Sequence, residues 1–199
     1  MMVDLTKNTP GNILSYLYGK LLGDGNLTIE ERKQPRFRFQ HTYSDQLWCR
    51  HCYETLKPYL PLNPPKNKKV IDPRLVNGYS ESVYVQSKTH PLFTILKDKW
   101  YQDRKKIIPF DSLEYLLTPA TLSWWYQDDG HLTIKDNKPK KIILSTDSFS
   151  TKENRMLIDL LNKKFQLNFA IDGQNRLCLY DQPQIFIFLH MVRSHIITQ

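Results

Sequence analysis

The sequence has few of the features that mark secreted or membrane-embedded proteins. Its 199 residues include three cysteines, an odd number that does not suit a disulfide framework and is typical of a reducing compartment. No apolar run approaches the 18 or so residues of a membrane-spanning helix, and the first residues lack the pattern of a signal peptide. The only alanines are Ala120 and Ala170, which is typical of AT-rich genes. We expect an intracellular protein without a membrane partner, from an organellar (for example mitochondrial) matrix or a bacterial or phage-infected cytoplasm.

The charge of the chain is unevenly distributed. With 40% hydrophobic and 12% aromatic residues the composition is that of a globular protein, and the net charge is +8 with a pI of about 9.3. Of the 28 Lys and Arg and 20 Asp and Glu, residues 1–110 hold 18 and 10, whereas residues 111–199 hold 10 and 10. A basic chain rich in aromatic residues favours a nucleic-acid partner.

The two halves of the sequence repeat each other. YGKLLGDGNLTI (residues 18–29) aligns with WYQDDGHLTI (residues 125–134) at an offset of 105, which shrinks to about 92 after residues 61–82. We predict two copies of a helix-strand-strand-helix-strand-helix unit, in residues 1–110 and 111–199, joined near residues 109–118. Residues alternate between apolar and polar after each first helix, which predicts antiparallel sheets with one polar face.

An aspartate directly precedes a glycine at the end of the first helix of each repeat, as Asp24-Gly25 and Asp129-Gly130. That end of a helix carries unpaired carbonyls and the negative pole of the dipole, so a carboxylate there is unfavourable unless a cation binds. Mg²⁺ prefers carboxylate, carbonyl and phosphate oxygens. One Asp-Gly pair is a common turn, but two in register predict a paired-carboxylate Mg²⁺ site.

The two helices that precede these aspartates differ in their small residues. Gly19 and Gly23 are four residues apart, which favours close approach of another backbone. Trp124 and Asp128 occupy the matching positions of the second helix. We therefore expect an asymmetric helix contact, with the cluster at residues 124–126 in the core.

Residues 17–25 (LYGKLLGDG) and 122–130 (LSWWYQDDG) resemble the two signature motifs of a single-chain LAGLIDADG homing endonuclease of the intron-encoded, two-motif branch. The resemblance implies an α+β fold of two pseudo-symmetric αββαββα repeats, with the motif helices packed at the centre and the antiparallel sheets forming a DNA-binding saddle. It also implies a monomer with an internal pseudo-two-fold that cuts both strands of a long, asymmetric double-stranded DNA site and leaves 3′ overhangs.

The same resemblance implies a set of catalytic residues. Asp24 and Asp129 would ligate Mg²⁺ with help from the carbonyls of Gly23 and Asp128, and Mn²⁺ or Ca²⁺ would replace Mg²⁺ for binding. Lys106 would be the basic residue near the attacking water. The offset of 92 places Thr198 at the position that corresponds to Lys106, so either the chain stops short or the site is asymmetric. We expect unequal cleavage of the two strands.

If the sheets lie in the major groove, their outward side chains contact base edges and their loops contact phosphate. The candidates on the strands are Asn26, Thr28, Glu30, Arg36, Arg38 and Gln40 in the first half and His131, Thr133, Lys135, Lys141, Ser145, Arg176 and Tyr180 in the second. A loop with Lys66, Lys68 and Lys69 is the candidate phosphate contact.

Two other functions fit the same sequence. One is an RNA maturase, a splicing cofactor with intron RNA as its partner; the other is a DNA-binding protein that does not cut. Retention of both Asp24 and Asp129 favours cleavage over either alternative. The Cys49 and Cys52 pair has metal-ligand spacing but no second pair at zinc-finger spacing, so we do not predict a zinc site.

Overall fold

The computed structural model describes residues 9–28, 30 and 33–193. Within these ranges the chain is α+β, with seven helices and ten strands. The helices are α1 (Gly11–Leu22), α2 (Gln46–Leu56), α3 (Pro91–Trp100), α4 (Phe110–Leu116), α5 (Pro119–Asp129), α6 (Thr151–Phe165) and α7 (Gln182–Arg193). The strands are β1 (Asn26–Leu27), β2 (Phe37–Thr42), β3 (Lys66–Ile71), β4 (Tyr79–Gln86), β5 (Tyr101–Gln102), β6 (Lys105–Lys106), β7 (Gly130–Lys135), β8 (Lys138–Leu144), β9 (Ala170–Ile171) and β10 (Leu177–Leu179).

The described residues divide into two compact units. The first contains residues 9–14 and 24–98, and the second contains residues 15–23 and 99–193. Most of α1 therefore belongs to the second unit, although the strands that follow it belong to the first. The predicted boundary between residues 110 and 111 divides the chain by sequence repeat and not by spatial compactness, and it stays a prediction.

The first unit is built on an antiparallel sheet of order β1-β2-β4-β3. β2 alternates as predicted, with Phe37 and Phe39 fully buried and Arg38 and Gln40 on the opposite face. The Phe37 ring stacks on Phe93 of α3, with centroids 5.9 Å apart. Burial of these rings on one side leaves a polar second face.

The second unit repeats this topology with the order β7-β8-β10-β9. Two of its helices begin with a capping box. Thr118 forms a capping box with Thr121 at the start of α5, and Ser150 forms one with Glu153 at the start of α6. The sequence predicts the start of α5 from Pro119, and it predicts α6 because residues 150–162 are the repeat counterpart of the helix-like residues 45–57.

The observed element order is αββαββα in each half, as the family resemblance implies. The unit deduced from the residues alone was wrong by one strand, because it omitted β3 and β9. The predicted loop at Lys66, Lys68 and Lys69 was also wrong, since these residues lie in β3, which pairs with β4 along its whole length. The connection near residues 109–118 contains helix α4.

Within the second unit, the C-terminal part of α1 packs closely against α5. A Cβ atom on Gly19 would lie 2.6 Å from the carbonyl oxygen of Thr121 and 2.8 Å from the Cβ of Trp124. Tyr16 stacks on the buried Trp124 at a centroid distance of 4.4 Å. A Cβ on Gly23 would lie 2.5 Å from the Cβ of Asp128. The predicted asymmetric contact, with glycines facing larger residues, is confirmed.

We expect Gly19→Ala to lower the free energy of unfolding by about 1–3 kcal/mol, because the new methyl group would overlap backbone atoms of α5. Gly11→Ala on the same helix is the matched control, since nothing lies within 4 Å of its Cβ position. The control should be neutral or stabilising by up to about 1 kcal/mol. Urea denaturation of both variants measures the difference, and equal midpoints would contradict the close packing.

No described helix combines the length and the apolar character that crossing a bilayer requires.

Candidate functional site

Helix α1 of the first motif ends at Leu22, and Asp24 lies two residues beyond it. In the first unit, the Asp24 carboxylate Oδ2 lies 3.1 Å from Nδ1 of His41. His41 is in β2, on the same side as Phe37 and Phe39, and its side chain is almost fully buried. Sequence reasoning missed His41, although an imidazole at a position where the alternation predicts an apolar residue was a usable signal.

Asp128 and Asp129 of the second motif are the last two residues of α5. The carbonyl of Asp129 accepts a hydrogen bond from the backbone N–H of Ser145 at 3.0 Å, which extends the β7-β8 ladder to the helix end. Gly130 then begins β7 with extended backbone. The strand pairing therefore fixes the backbone at the point where Asp129 leaves the helix.

An ion pair buried between the two motif helices is the main feature that sequence reasoning missed. Nζ of Lys20 lies 2.6 Å from Oδ1 of Asp128, and both side chains have no exposed surface. Oδ2 of the same carboxylate would lie 2.8 Å from a Cβ on Gly23. The signal in the sequence was a lysine in the otherwise apolar part of α1, at residues 13–22.

Lys106 reaches the end of the first motif from the β5-β6 hairpin. Its Nζ donates to the carbonyl of Gly23 at 3.3 Å. The hairpin turns through Asp103 and Arg104, which both have positive φ, and pairs Lys106 with Tyr101. Sequence reasoning found this lysine but not the hairpin that holds it.

The predicted ligands are of the types that a hard divalent cation prefers. Carboxylates, as in Asp24 and Asp129, and carbonyls, as in Gly23, are typical ligands of Mg²⁺ and Ca²⁺, and their binding of one ion stays a prediction. Lys106 already directs an ammonium to that carbonyl, so the carbonyl is oriented towards a charged group. The carboxylate of Asp128 is neutralised by Lys20, so the prediction for Asp128 concerns its backbone carbonyl.

The predicted DNA-contact residues of the first sheet mostly share one face. The register places Asn26 opposite Arg38, and Gln40 and Lys66 on either side of Tyr84. Arg38 donates to the side-chain oxygen of Gln40 at 2.7 Å and lies 4.6 Å above the Tyr84 ring. Lys68 extends the face through its pairing with Ser82, to which Gln40 donates. We call Asn26, Arg38, Gln40, Lys66 and Lys68 the first polar face.

The remaining candidates of the first half lie elsewhere. Lys69 is on the opposite side of β3 from Lys66 and Lys68, where it is paired with Glu81 and covers the ring of Tyr79. Glu30 is exposed and bonds to Lys33. Thr28 and Arg36 bond to each other through a backbone N–H and carbonyl and through the Thr28 hydroxyl.

The candidates of the second sheet form a smaller group. Thr133 pairs with Lys141, whose Nζ lies 5.9 Å from the ring of the exposed Tyr180. His131 pairs with the buried Ile143, so the centre of this face is apolar. Lys135 is exposed at the end of β7, and Ser145 follows β8.

Arg176 is held in the turn between β9 and β10. Its Nε and one terminal nitrogen donate to Oδ2 of Asp172 at 3.0 and 2.7 Å. The guanidinium keeps the pKa of the Asp172 carboxyl well below its usual range. A role for Arg176 in reading DNA would use the guanidinium N–H groups that these two bonds leave.

Comparison with known proteins gives one family for nearly the whole chain. Residues 14–182 match the LAGLIDADG DNA endonuclease family. A probable intron-encoded endonuclease 1 of Wickerhamomyces canadensis is 26% identical over 190 residues, which are 92% of this chain and 79% of that protein. The cytochrome b mRNA maturase bI2 of Debaryomyces hansenii is 25% identical over 199 residues, with coverage of 94% and 71%.

The fold also matches a solved structure. The homing endonuclease I-WcaI bound to its DNA recognition sequence superposes with a TM-score of 0.81 and 23% identity, over 98% of this chain and 90% of that one. The α+β fold with repeated αββαββα order is confirmed by this match. With motif helix α1 followed by Asp24, motif helix α5 ending at Asp129 and a family match over most of its length, the chain belongs to the LAGLIDADG DNA endonuclease family.

Proposed function

We propose that the protein is a site-specific, divalent-metal-dependent homing endonuclease. It acts as a monomer on a long, asymmetric DNA site and cuts both strands to leave 3′ overhangs. The observation that carries this proposal is the pair of motif helices, packed through Gly19 and Gly23 and each followed or ended by an aspartate. I-WcaI, bound to its DNA recognition sequence, supports DNA as the partner. We place the protein in the organelle or cell that contains its target genome.

Each part of the site has a proposed task. Asp24 and Asp129 hold the divalent ion, with the backbone carbonyls of Gly23 and Asp128 as further donors. When bound, the ion activates water and stabilises the leaving oxygen of an in-line displacement. Lys106 places an ammonium beside Gly23, where it stabilises negative charge on the scissile phosphate and orients the attacking water. His41 holds the Asp24 carboxylate in one orientation.

The first polar face is proposed to read bases. Arg38 is suited to guanine, because its guanidinium, which lies over the Tyr84 ring, can present two donors to O6 and N7. Gln40 is suited to adenine, because its side-chain amide can pair with both N6 and N7 of that base. Their mutual hydrogen bond shows that the two side chains reach adjacent positions of the sheet.

Phosphate contacts should be concentrated in the first half of the chain. Each lysine that neutralises a phosphate contributes about 0.9 to the slope of log K against log salt. We expect Lys66→Gln/Lys68→Gln to reduce that slope by about 1–2, and Lys138→Gln/Lys140→Gln, an equally exposed pair of the second half, to reduce it less. Fluorescence anisotropy with duplex DNA at several salt concentrations measures both slopes. Equal reductions would mean that the charge asymmetry is not a binding asymmetry.

The proposed function is tested by sequencing the ends that the protein makes. The purified chain is incubated with a randomised-site plasmid library in Mg²⁺, and linear products are ligated and sequenced. We expect one long, asymmetric consensus with 3′ extensions at both ends. Products without a consensus would refute site specificity, and blunt or 5′-extended ends would refute the proposed geometry of cutting.

A second candidate function is RNA splicing, which the resemblance to the maturase of Debaryomyces hansenii favours. A maturase needs a surface for intron RNA and does not need the metal site. Splicing of an intron RNA that continues after Asp24→Asn, in a chain that no longer cuts DNA, would establish both roles. Absence of RNA binding would leave the endonuclease alone.

A further inference from the structure

The buried ion pair of Lys20 and Asp128 breaks the pseudo-symmetry of the two motifs. At the offset of 105, Lys20 corresponds to Trp125, and Asp128 corresponds to Gly23. The lysine therefore occupies a position where the other repeat has a tryptophan, and the carboxylate occupies a position where the other repeat has a glycine. Both charged side chains have no exposed surface, and their atoms are 2.6 Å apart.

Such a pair is a poor way to gain stability. Removing two charges from water is unfavourable, and apolar replacements of buried pairs are often neutral or stabilising. The pair lies between α1 and α5 at the ends of both motifs. Asp128 directly precedes Asp129, and its Oδ2 lies against Gly23, which directly precedes Asp24.

The position of Asp128 presents a problem for metal binding. The Asp128 carboxylate, which lies against Gly23, is a donor that a hard cation would bind, and added ligand charge changes cation affinity over decades. The Lys20 ammonium is a compact point charge with three donors and occupies Oδ1 of that carboxylate. It gives Asp128 a permanent counter-charge that belongs to the protein.

We propose that Lys20 is a positioning residue that withholds the Asp128 carboxylate from the divalent ion, so that Asp129 is the carboxylate that the end of α5 offers to the ion. This inference rests on the proposed function, because it concerns the same metal. The pair also joins the last turns of α1 and α5, and so fixes the backbone carbonyls that precede the two ligands.

The test is Ca²⁺ binding by the full chain without DNA, measured from the thermal unfolding midpoint over a range of Ca²⁺ concentrations. Lys20→Met keeps the length of the side chain and removes its charge. We expect its midpoint without metal to fall by roughly 10 °C, because Asp128 loses its buried cation. We expect its apparent Ca²⁺ affinity to rise at least about tenfold, since Asp128 then gains a metal counter-charge.

Two further variants make the result specific. Lys20→Met/Asp128→Asn should fold with the Ca²⁺ affinity of the wild type within about twofold, because neither group of the pair contacts the ion. Lys164→Met is the matched control, since Lys164 is a lysine of the same unit that donates to the carbonyl of Leu117 at 3.1 Å. Its Ca²⁺ affinity should not change.

Three outcomes would overturn the inference. The first is an unchanged or weaker Ca²⁺ affinity in Lys20→Met, and the second is a higher Ca²⁺ affinity in Lys164→Met. The third is a tenfold lower Ca²⁺ affinity in the double variant, because Asp128 would then be a ligand in the wild type. If Lys20→Met does not fold, the double variant decides the question. Because DNA is absent, these results stand apart from the cleavage assay, and an inactive protein with the expected Ca²⁺ behaviour would refute only the proposed function.

Discussion

The Asp24→Asn chain is expected to bind its DNA site and to cut it at least about a thousandfold more slowly than the wild type, and Asp129→Asn should behave in the same way. Asparagine keeps the shape of the side chain but removes the charge that a hard cation requires. A divalent ion supplies several kcal/mol of charge stabilisation to the reaction, and 1.36 kcal/mol corresponds to a tenfold change in rate. Cleavage of a plasmid carrying the target site measures the loss, and a gel-shift assay in Ca²⁺ measures binding.

Asp98→Asn is the control for this pair. Asp98 is an exposed aspartate of α3, 4.0 Å from Lys97. The Asp98→Asn chain should cut DNA at the wild-type rate. The amide at position 24 can still bond to His41, so the fold around the strand should survive. Cleavage that persists in either motif variant would remove Asp24 and Asp129 from the metal site. Loss of both cleavage and DNA binding would instead indicate a damaged fold.

The features that the sequence predicts well are those with a local physical cause. Helix α1 ends beside Asp24 because the Gly-Asp-Gly run at residues 23–25 stops it, and β2 alternates because Phe37 and Phe39 need burial. The asymmetric helix contact follows from Gly19 facing a tryptophan. In each case one or two residues in a short window carry the information.

The features that the sequence hid depend on partners far along the chain. Lys66, Lys68 and Lys69 lie in a segment without an apolar alternation, and only pairing with β4 makes it a strand. The ion pair of Lys20 and Asp128 joins residues 108 positions apart. A lysine in an apolar helix signals a buried partner but does not identify it.

His41 illustrates the same limit at the site itself. The alternation of β2 predicts that position 41 faces the core, and the structure confirms its burial. The alternation does not reveal that the carboxylate of Asp24 lies 3.1 Å from the imidazole. Asp24 was identified from the sequence as a candidate ligand, whereas its neighbour His41 was not.

Lys106→Met is expected to slow the first of two strand cuts by about a hundredfold, the effect that loss of one preorganised charge-stabilising group typically has. The Lys106 ammonium is held at Gly23 by the short β5-β6 hairpin, so its loss should not disturb either sheet. A time course on supercoiled plasmid resolves the two cuts, because the first produces nicked circles and the second produces linear DNA. Lys105→Met, on the neighbouring exposed residue, is the control and should leave both rates unchanged.

The same time course tests whether the two cuts are unequal in the wild type. Thr198 corresponds to Lys106 in the second repeat and lies outside the described residues, so the expectation rests on the sequence offset alone. If only one strand is cut with the help of a lysine, nicked circles accumulate in the wild type. Lys106→Met then removes that accumulation, because it slows only the first cut. Linear product without nicked circles in the wild type, or equal slowing of both steps in the variant, would mean that a second basic group serves the other strand.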